Sequence, residues 1–358
     1  MSRKARKSYR ISEDTHNIFI KQAGNILSGD PMSVCCGDYR ISLDRKDKLA
    51  NINFISHAHS DHTSSVNTKS KFISSAATAN LINARKSIMI NYTENIPGMK
   101  LLNAGHILGS KQLYLDHEAL GRTITYSGDY QMQPSYVAEP IELKETDCLI
   151  IDSTYPNPDV VFDEKSEVTY TIQKYSNDKL DRGIVLFQTY SLGKAQEIIK
   201  ILNESGIIPI TTEKISQLNE VHKDHGVKLE YVTDSKESAQ LTELLRSNFV
   251  YICEHARFDE YKMKLSSTYG RRVFTAVATG FAQTVRFNTD VQFGLSDHAD
   301  FKQAKEYIDA CSPKIIYTYG GNSRIFAENL KKAGYNARPY SDEINSNIPN
   351  LEYLAKLQ

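Results

Sequence analysis

Short apolar runs alternate with polar clusters along the first part of the chain. The runs at 52–55, 112–116, 123–127 and 148–151 have the length and the β-branched or aromatic residues of strands, and each is followed by a polar cluster. We therefore expect a β-rich region whose reactive side chains lie on loops at strand ends.

After about Pro158 the pattern changes. Apolar runs such as 183–189 and 249–253 are separated by segments with helical periodicity, for example 192–203 and 213–225. This regular alternation of strands and helices predicts a parallel sheet with helices on its faces.

Near residue 291 the β-rich pattern returns, so the second region interrupts the first. We predict a discontinuous domain of residues 1–160 and 291–358, which carries an inserted α/β domain of residues 161–290. The fold class is therefore predicted to be α/β.

Composition narrows the class of protein. The 358 residues include 43 Lys+Arg and 43 Asp+Glu, and apolar residues make up 40%, which is enough for a packed core. No apolar run reaches the ~18–20 residues that cross a bilayer, so we expect no membrane partner.

The five cysteines form no CxxC pair, which favours a cytoplasmic protein without disulfides. Residues 1–10 carry five Arg or Lys, as a solvated arm or a loose contact to a polyanion would.

The strongest chemical signal is HAHSDH at residues 57–62, directly after a strand. Burying these groups without partners would cost on the order of 2 kcal/mol or more each, whereas imidazole and carboxylate are ligands of zinc and similar ions. Alternate residues of an extended loop point the same way, so His57 and His59 can serve one ion. Asp61 and His62 can turn toward a second ion. A surface histidine cluster is the alternative.

Two shorter motifs follow at strand ends: NAGH at 103–106 and SGD at 127–129. Either alone would more often be structural. In the order HxHxDH, GH, SGD, the three motifs resemble those of the metallo-β-lactamase superfamily. The resemblance implies a first ion held by three histidines, a second held by an Asp-His pair, and a bridging Asp: His57, His59 and His106; Asp61 and His62; and Asp129. Asp44 matches the family's orienting Asp, although a plain turn residue is the alternative.

A second set of motifs indicates the branch of that superfamily. DSTY at 152–155, YSLGKAQE at 190–197, VATGFA at 277–282 and SDHAD at 296–300 resemble the β-CASP nucleases. Among these the chain is most similar to compact prokaryotic exonucleases and mRNA 3′-end processing factors. The resemblance implies a metallo-β-lactamase αββα sandwich with an inserted parallel-sheet β-CASP domain.

The resemblance also pairs Asp152 with His298. A carboxylate that accepts from one ring nitrogen fixes the tautomer of a histidine, and such a histidine can protonate a leaving oxygen. We therefore predict Asp61, Asp152 and His298 to be catalytic. The alternative is that Asp152 caps a loop and that His298 is an ordinary core histidine.

Phosphate contacts are predicted at two loops. Free N–H groups at the start of the helix near residue 194 favour an anion, although an ordinary capped helix start is the alternative. The predicted contacts are Ser153, Thr154, Ser191, Gly193 and Lys194.

Tyr319 departs from the family pattern, because many β-CASP members carry a histidine there that completes the second metal site. A phenol with a pKa of about 10 is a poor ligand at neutral pH. We therefore expect one or two zinc ions, the second bound more weakly. DNA-acting relatives also lack this histidine, which slightly favours DNA.

Together these features predict a metal-dependent nuclease that hydrolyses single-stranded RNA or DNA, with exonuclease-type processing from an end. A divalent cation lowers the pKa of its bound water from about 15.7 to about 7 and so supplies the attacking hydroxide. Two alternatives are a non-catalytic scaffold subunit of an RNA-processing complex and a small-molecule metallo-hydrolase. The complete ligand set opposes the first alternative. The insertion and the Asp152–His298 pair oppose the second.

Overall fold

The structure is a computed structural model that describes residues 32–36, 39–116 and 121–340. The basic segment at residues 1–10 lies outside the described residues. Within the described part of the chain, every helix is too short or too polar to cross a bilayer.

Between residues 32 and 152 the described chain is mostly β. Its elements are β1 Ser33–Cys36, β2 Tyr39–Leu43, β3 Ile52–Phe54, β4 Lys71–Ile73, α1 Ala76–Lys86, β5 Asn91–Thr93, β6 Met99–Asn103, β7 Lys111–Asp116, β8 Thr123–Tyr126 and β9 Cys148–Asp152.

From residue 165 onward, helices and strands alternate. These elements are α2 Lys165–Leu180, β10 Ile184–Thr189, α3 Lys194–Asn203, β11 Ile210–Thr211, α4 Glu213–Asp224, β12 Val232–Thr233, α5 Ala239–Arg246, β13 Val250–Glu254, α6 Phe258–Tyr269, β14 Val273–Ala278, β15 Val291–Phe293, α7 Phe301–Cys311, β16 Ile315–Tyr319, α8 Ser323–Lys332 and β17 Ala337–Pro339.

The strands form three sheets, with the orders β1-β2-β3-β4-β5, β17-β16-β9-β8-β7-β6 and β12-β11-β13-β10-β14-β15. Neighbouring strands of the third sheet are all parallel, as the alternation of strands and helices predicts. In the second sheet β6, β7 and β8 are antiparallel, and β8, β9, β16 and β17 are parallel.

The first two sheets pack face to face around an apolar core that includes Leu43 and Phe54 from one sheet and Leu113 and Tyr126 from the other. Helix α1 covers the outer face of the first sheet, and α7 and α8 cover that of the second. In the third sheet, α2 and α3 lie on one face and α6 on the other. This arrangement confirms the predicted fold class, an αββα sandwich with an inserted parallel-sheet unit. The exact boundaries of the two domains stay a prediction.

Some elements differ from those expected. The helix predicted at 192–203 begins only at Lys194, because Gly193 has φ 84°, outside the helical region. Helices α2 and α5 are absent from the sequence prediction. Few side chains of α2 are buried, so this helix lacks the broad apolar stripe that helical periodicity detects. Helix α5 has Leu241, Leu244 and Leu245 at helical spacing and packed against the core, but it is only eight residues long, so the pattern is short.

Candidate metal centre

The predicted ligands meet where their loops leave the sandwich. The segment 57–62 follows β3, Asp129 follows β8, and His106 lies in the turn between β6 and β7. The ligand atoms of His57, His59, His106 and Asp129 all lie within 4.8 Å of one another. Residues that are up to 72 positions apart in the sequence therefore form one cluster.

Two of these histidines are oriented by backbone carbonyls. Nε2 of His59 lies 3.2 Å from the carbonyl oxygen of Leu192, and Nδ1 of His106 lies 2.7 Å from that of Asp297. A carbonyl oxygen can only accept, so each of these nitrogens carries the ring proton. The other nitrogen of each ring is then unprotonated and faces the cluster.

Ser56 determines which nitrogen of the third histidine, His57, carries the ring proton. The Ser56 hydroxyl donates to Oδ2 of Asp44 at 2.6 Å, so it is left to accept from Nδ1 of His57 at 2.9 Å. Nε2 of His57 is therefore unprotonated as well, and all three rings present a lone pair to one point.

The spacing of these lone pairs fits a metal ion. Nδ1 of His59 lies 3.0 Å from Nε2 of His57 and 3.1 Å from Nε2 of His106. Such lone pairs repel one another unless a cation lies between them, and nitrogens about 2.0–2.1 Å from a tetrahedral zinc are roughly 3.3 Å apart. Burial lowers the pKa of all three imidazoles, to about 3 for His106. At neutral pH the rings are uncharged, as metal ligands must be.

A second group of ligands adjoins the first. Oδ2 of Asp129 lies 3.6 Å from Nε2 of His57 and 3.3 Å from Nε2 of His62, so this carboxylate stands between the two groups. Asp61 lies beside His62, with Oδ2 3.5 Å from Nε2, but its side chain is 69% exposed. Asp61 is the least firmly held of the predicted ligands.

His62 differs from the first three histidines in its protonation. Burial alone would lower the pKa of His62, but the carboxylates of Asp129 and Asp44 outweigh burial and raise that pKa well above its ordinary value. A metal ion at this position must therefore displace a proton from His62.

Asp44 connects both groups. Its Oδ1 accepts from the Ser56 N–H at 2.6 Å, and its Oδ2 accepts from Tyr126 Oη and His62 Nδ1, each at 2.8 Å. Asp44 is 1% exposed, so these contacts replace water at a buried carboxylate. They support the predicted orienting role of Asp44.

His298 and Asp152 lie at the edge of the cluster. Nδ1 of His298 is 3.2 Å from Oδ2 of Asp152, and its Nε2 is 3.9 Å from Oδ2 of Asp129. Burial disfavours the charged imidazole, but the bond to Asp152 and the charge of Asp129 raise the pKa of His298 to about 9. At neutral pH His298 therefore carries a proton that it can give up.

Tyr319 ends β16 beside the second group. Its ring packs on Tyr126 with centroids 5.1 Å apart, and its buried hydroxyl makes no hydrogen bond within the described residues. Burial, together with Tyr126 and nearby carboxylates, raises the pKa of Tyr319 well above 10. The phenol therefore stays protonated at neutral pH.

The predicted phosphate contacts fall on both sides of the cluster. Ser153 donates to the backbone carbonyl of Tyr319, and Thr154 donates to Oδ1 of Asp152 at 2.9 Å. Lys194 is 3% exposed, and its Nζ lies 3.3 Å from Oδ1 of Asp297. Phosphate binding by these residues stays a prediction, and Lys194 already has a carboxylate partner.

The turn before α3 packs tightly against the sandwich. A Cβ at Gly193 would lie 2.5 Å from Cγ2 of Ile107, so only glycine fits at this φ of 84°. Ser191 lines the cleft beside this turn. The turn holds His59 through the Leu192 carbonyl, so the insertion contributes to the orientation of a ligand in the sandwich.

Several residues that position the ligands were not predicted. Ser56 directly precedes the motif at 57–62, and Asp297 lies within the motif at 296–300, which is a signal that could have identified them. Tyr126 ends a strand and looks like an ordinary core residue. Leu192 acts through its backbone oxygen, which no side-chain pattern reveals.

A cleft of about 550 Å³ opens above the cluster. Besides the ligands, its walls carry four cations and four aromatic rings: Arg45, Arg85, Lys194, Lys214, Tyr155, Tyr190, Phe281 and Tyr319.

No protein-family model matches the chain. Among curated proteins, a probable DNA ligase of Opitutus terrae is 30% identical over 79% of the chain and 28% of the ligase. An RNase J-like protein of Methanocaldococcus jannaschii is 33% identical over 51% of the chain and 49% of that protein. The human DNA cross-link repair 1A protein is 23% identical over 74% of the chain and 28% of that protein.

The chain belongs to the β-CASP branch of the metallo-β-lactamase superfamily. It spans from about a quarter to about half of the length of these three relatives. A crystal structure of a protein of unknown function from Enterococcus faecalis V583 resembles it with a TM-score of 0.57 and 13% identity, covering 81% of this chain and 90% of that one. That likeness concerns the fold alone.

Proposed function

We propose that this β-CASP protein is a metal-dependent nuclease that acts on DNA. The observation that carries the proposal is the convergence of three uncharged imidazoles and Asp129 in an open cleft, with the protonated His298 at its edge. Three imidazole lone pairs that face one another would stabilise neither a non-catalytic scaffold protein nor a hydrophobic core.

DNA is proposed over RNA on two grounds. The relatives named for DNA ligation and DNA cross-link repair match 79% and 74% of the chain, whereas the RNase J-like protein matches 51%. In addition, Tyr319 stands where RNA-cleaving members of the branch carry a histidine.

The ligand set names the residues that would hold metal. His57, His59 and His106 with Asp129 would hold one ion, and Asp61 and His62 with the same Asp129 a second. Imidazole-rich sets of this kind suit zinc. When bound, such a cation would polarise a phosphoryl oxygen and lower the pKa of a water molecule.

His298 would then act on the leaving group. Its Nδ1 is bonded to Asp152, so Nε2, which faces the cluster, is the nitrogen that gives a proton to the departing oxygen. Asp152 stabilises the charged imidazole before that transfer and fixes the orientation of the ring.

We further propose that the substrate is a single strand that is cut from an end. A cleft of about 550 Å³ is of the size that encloses a small ligand. It can enclose a nucleotide or two but not a duplex.

Incubation of the metal-loaded protein with end-labelled single-stranded DNA and RNA tests the proposal. We expect the protein to convert DNA to short products and to cleave RNA more slowly. The metal-free protein should cleave neither nucleic acid until metal is restored. The His225→Ala variant, changed outside the cleft, should cleave like the original chain. Intact DNA after full metal loading would contradict the proposed function.

A further inference from the structure

Two exposed aromatic rings stand at the mouth of the cleft. Tyr190 is 59% exposed and Phe281 is 41% exposed, and both line the cavity that contains the ligands. Single exposed apolar residues are common on protein surfaces. Two exposed rings that line the same cleft as the proposed ligands are instead placed to contact a bound substrate.

The topology brings these rings to one edge. Tyr190 directly follows β10 and Phe281 lies three residues after β14, and the two strands are parallel neighbours in the inserted sheet. Their loops therefore leave the same edge of that sheet, where open α/β sheets bind ligands.

Tyr155 connects this edge to the proposed proton donor. Its ring centroid lies 5.6 Å from that of Phe281 and 6.1 Å from that of His298. Only one buried ring therefore separates Phe281 from His298. A nucleotide whose phosphodiester lies at His298 has its neighbouring base within reach of Phe281.

The sandwich side of the cleft carries two guanidinium groups beside the proposed ligands. Arg85 donates to the hydroxyl of Thr63 at 2.7 Å, and Arg45 donates to the backbone oxygen of Asp61 at 3.4 Å. Both acceptors are neutral, so these bonds hold the guanidinium groups in place; the carboxylate of Asp61 is an anionic group that acts on Arg85. Guanidinium groups in such positions suit phosphate oxygens.

We propose that Tyr190 and Phe281 form a stacking shelf for the bases of an unpaired strand, whose phosphates Arg45 and Arg85 bind on the opposite wall. This inference rests on the proposed nuclease function and specifies the form of its substrate. Every base has a π-face, so the shelf favours unpaired over paired ends with little preference for sequence.

Binding of a phosphorothioate-linked single strand with a terminal 2-aminopurine, which resists cleavage, tests the shelf in the metal-loaded protein. Stacking quenches 2-aminopurine fluorescence. Tyr190→Ala and Phe281→Ala should each weaken binding roughly 5- to 150-fold and reduce the quenching, as loss of one base–aromatic stack does. Tyr190→Phe keeps a ring and should bind like the original chain.

The control is Tyr170→Ala, which removes a tyrosine that is 62% exposed on α2 outside the cleft. It should leave affinity and quenching unchanged. Unchanged affinity and quenching in the Tyr190→Ala, Phe281→Ala double variant would overturn the shelf. Cleavage of ordinary DNA is measured separately, so an original chain that stacks the base but never cleaves would refute the nuclease and leave the shelf standing.

Discussion

The two halves of the candidate metal centre share Asp129 and Asp44 but differ in how firmly their other proposed ligands are held. In the first half, two buried histidines and the partly buried His59 are fixed by carbonyl or hydroxyl partners and are uncharged at neutral pH. In the second half, Asp61 is largely exposed and His62 holds a proton. Ligands that need neither ordering nor deprotonation bind metal more tightly, so the halves should differ in affinity.

Tyr319 adds to this difference. Its phenol lies beside the second half with a raised pKa, and its hydroxyl makes no hydrogen bond within the described residues. It cannot readily become the anionic ligand that would compensate for a missing histidine.

His59→Ala breaks the first half and should have the largest effect. Loss of an outer partner of a ligand alone costs about 10- to 100-fold in metal affinity, so loss of the ligand itself should cost more than ~100-fold and abolish cleavage. Elemental analysis and end-labelled DNA measure both results, with His225→Ala as the matched control. A His59→Ala protein with full metal content would refute the assignment.

His298→Ala spares both halves and removes the proposed proton donor. Cleavage should slow by about 100- to 10,000-fold, the usual contribution of a general acid, while metal content stays the same. Single-turnover rates and elemental analysis on one preparation separate these effects. If the variant loses metal, His298 is a ligand and its proposed role is wrong.

Asp44→Asn weakens the contacts that the halves share. The amide can no longer accept from Ser56, Tyr126 and His62 with the strength of a carboxylate. We expect metal affinity to fall by about 10- to 100-fold. Competition with a chelator of known affinity provides the measurement, and unchanged affinity at both positions would show that Asp44 orients neither half.

Tyr319→His should restore a ligand to the second half and has the smallest expected effect. The weaker position should tighten by about tenfold, equivalent to ~1.4 kcal/mol, while the stronger position is unchanged. Tyr319→Phe is the control, since it removes only the hydroxyl. Equal titration curves for Tyr319→His and the original chain would mean that residue 319 does not face the second ion.

The sequence predicts the ligands better than it predicts what orients them. HAHSDH at 57–62 places several ligand types in one short loop, so the motif signals metal on its own. The partner of His59 is the backbone oxygen of Leu192, 133 positions away. Such a contact depends on the packing of α3 and on φ at Gly193, neither of which leaves a local pattern. For the same reason, the sequence could not show that Lys194 is buried against Asp297.

Titration of the metal-free protein with Zn²⁺, followed by calorimetry and by DNA cleavage on the same samples, measures the difference between the two halves. We expect one tight site and a second site at least about tenfold weaker. The second should tighten as pH rises, since His62 must lose a proton whose pKa is raised. Cleavage should appear only with metal. Two equally tight sites, or no stoichiometric binding, would show that the halves do not differ as proposed.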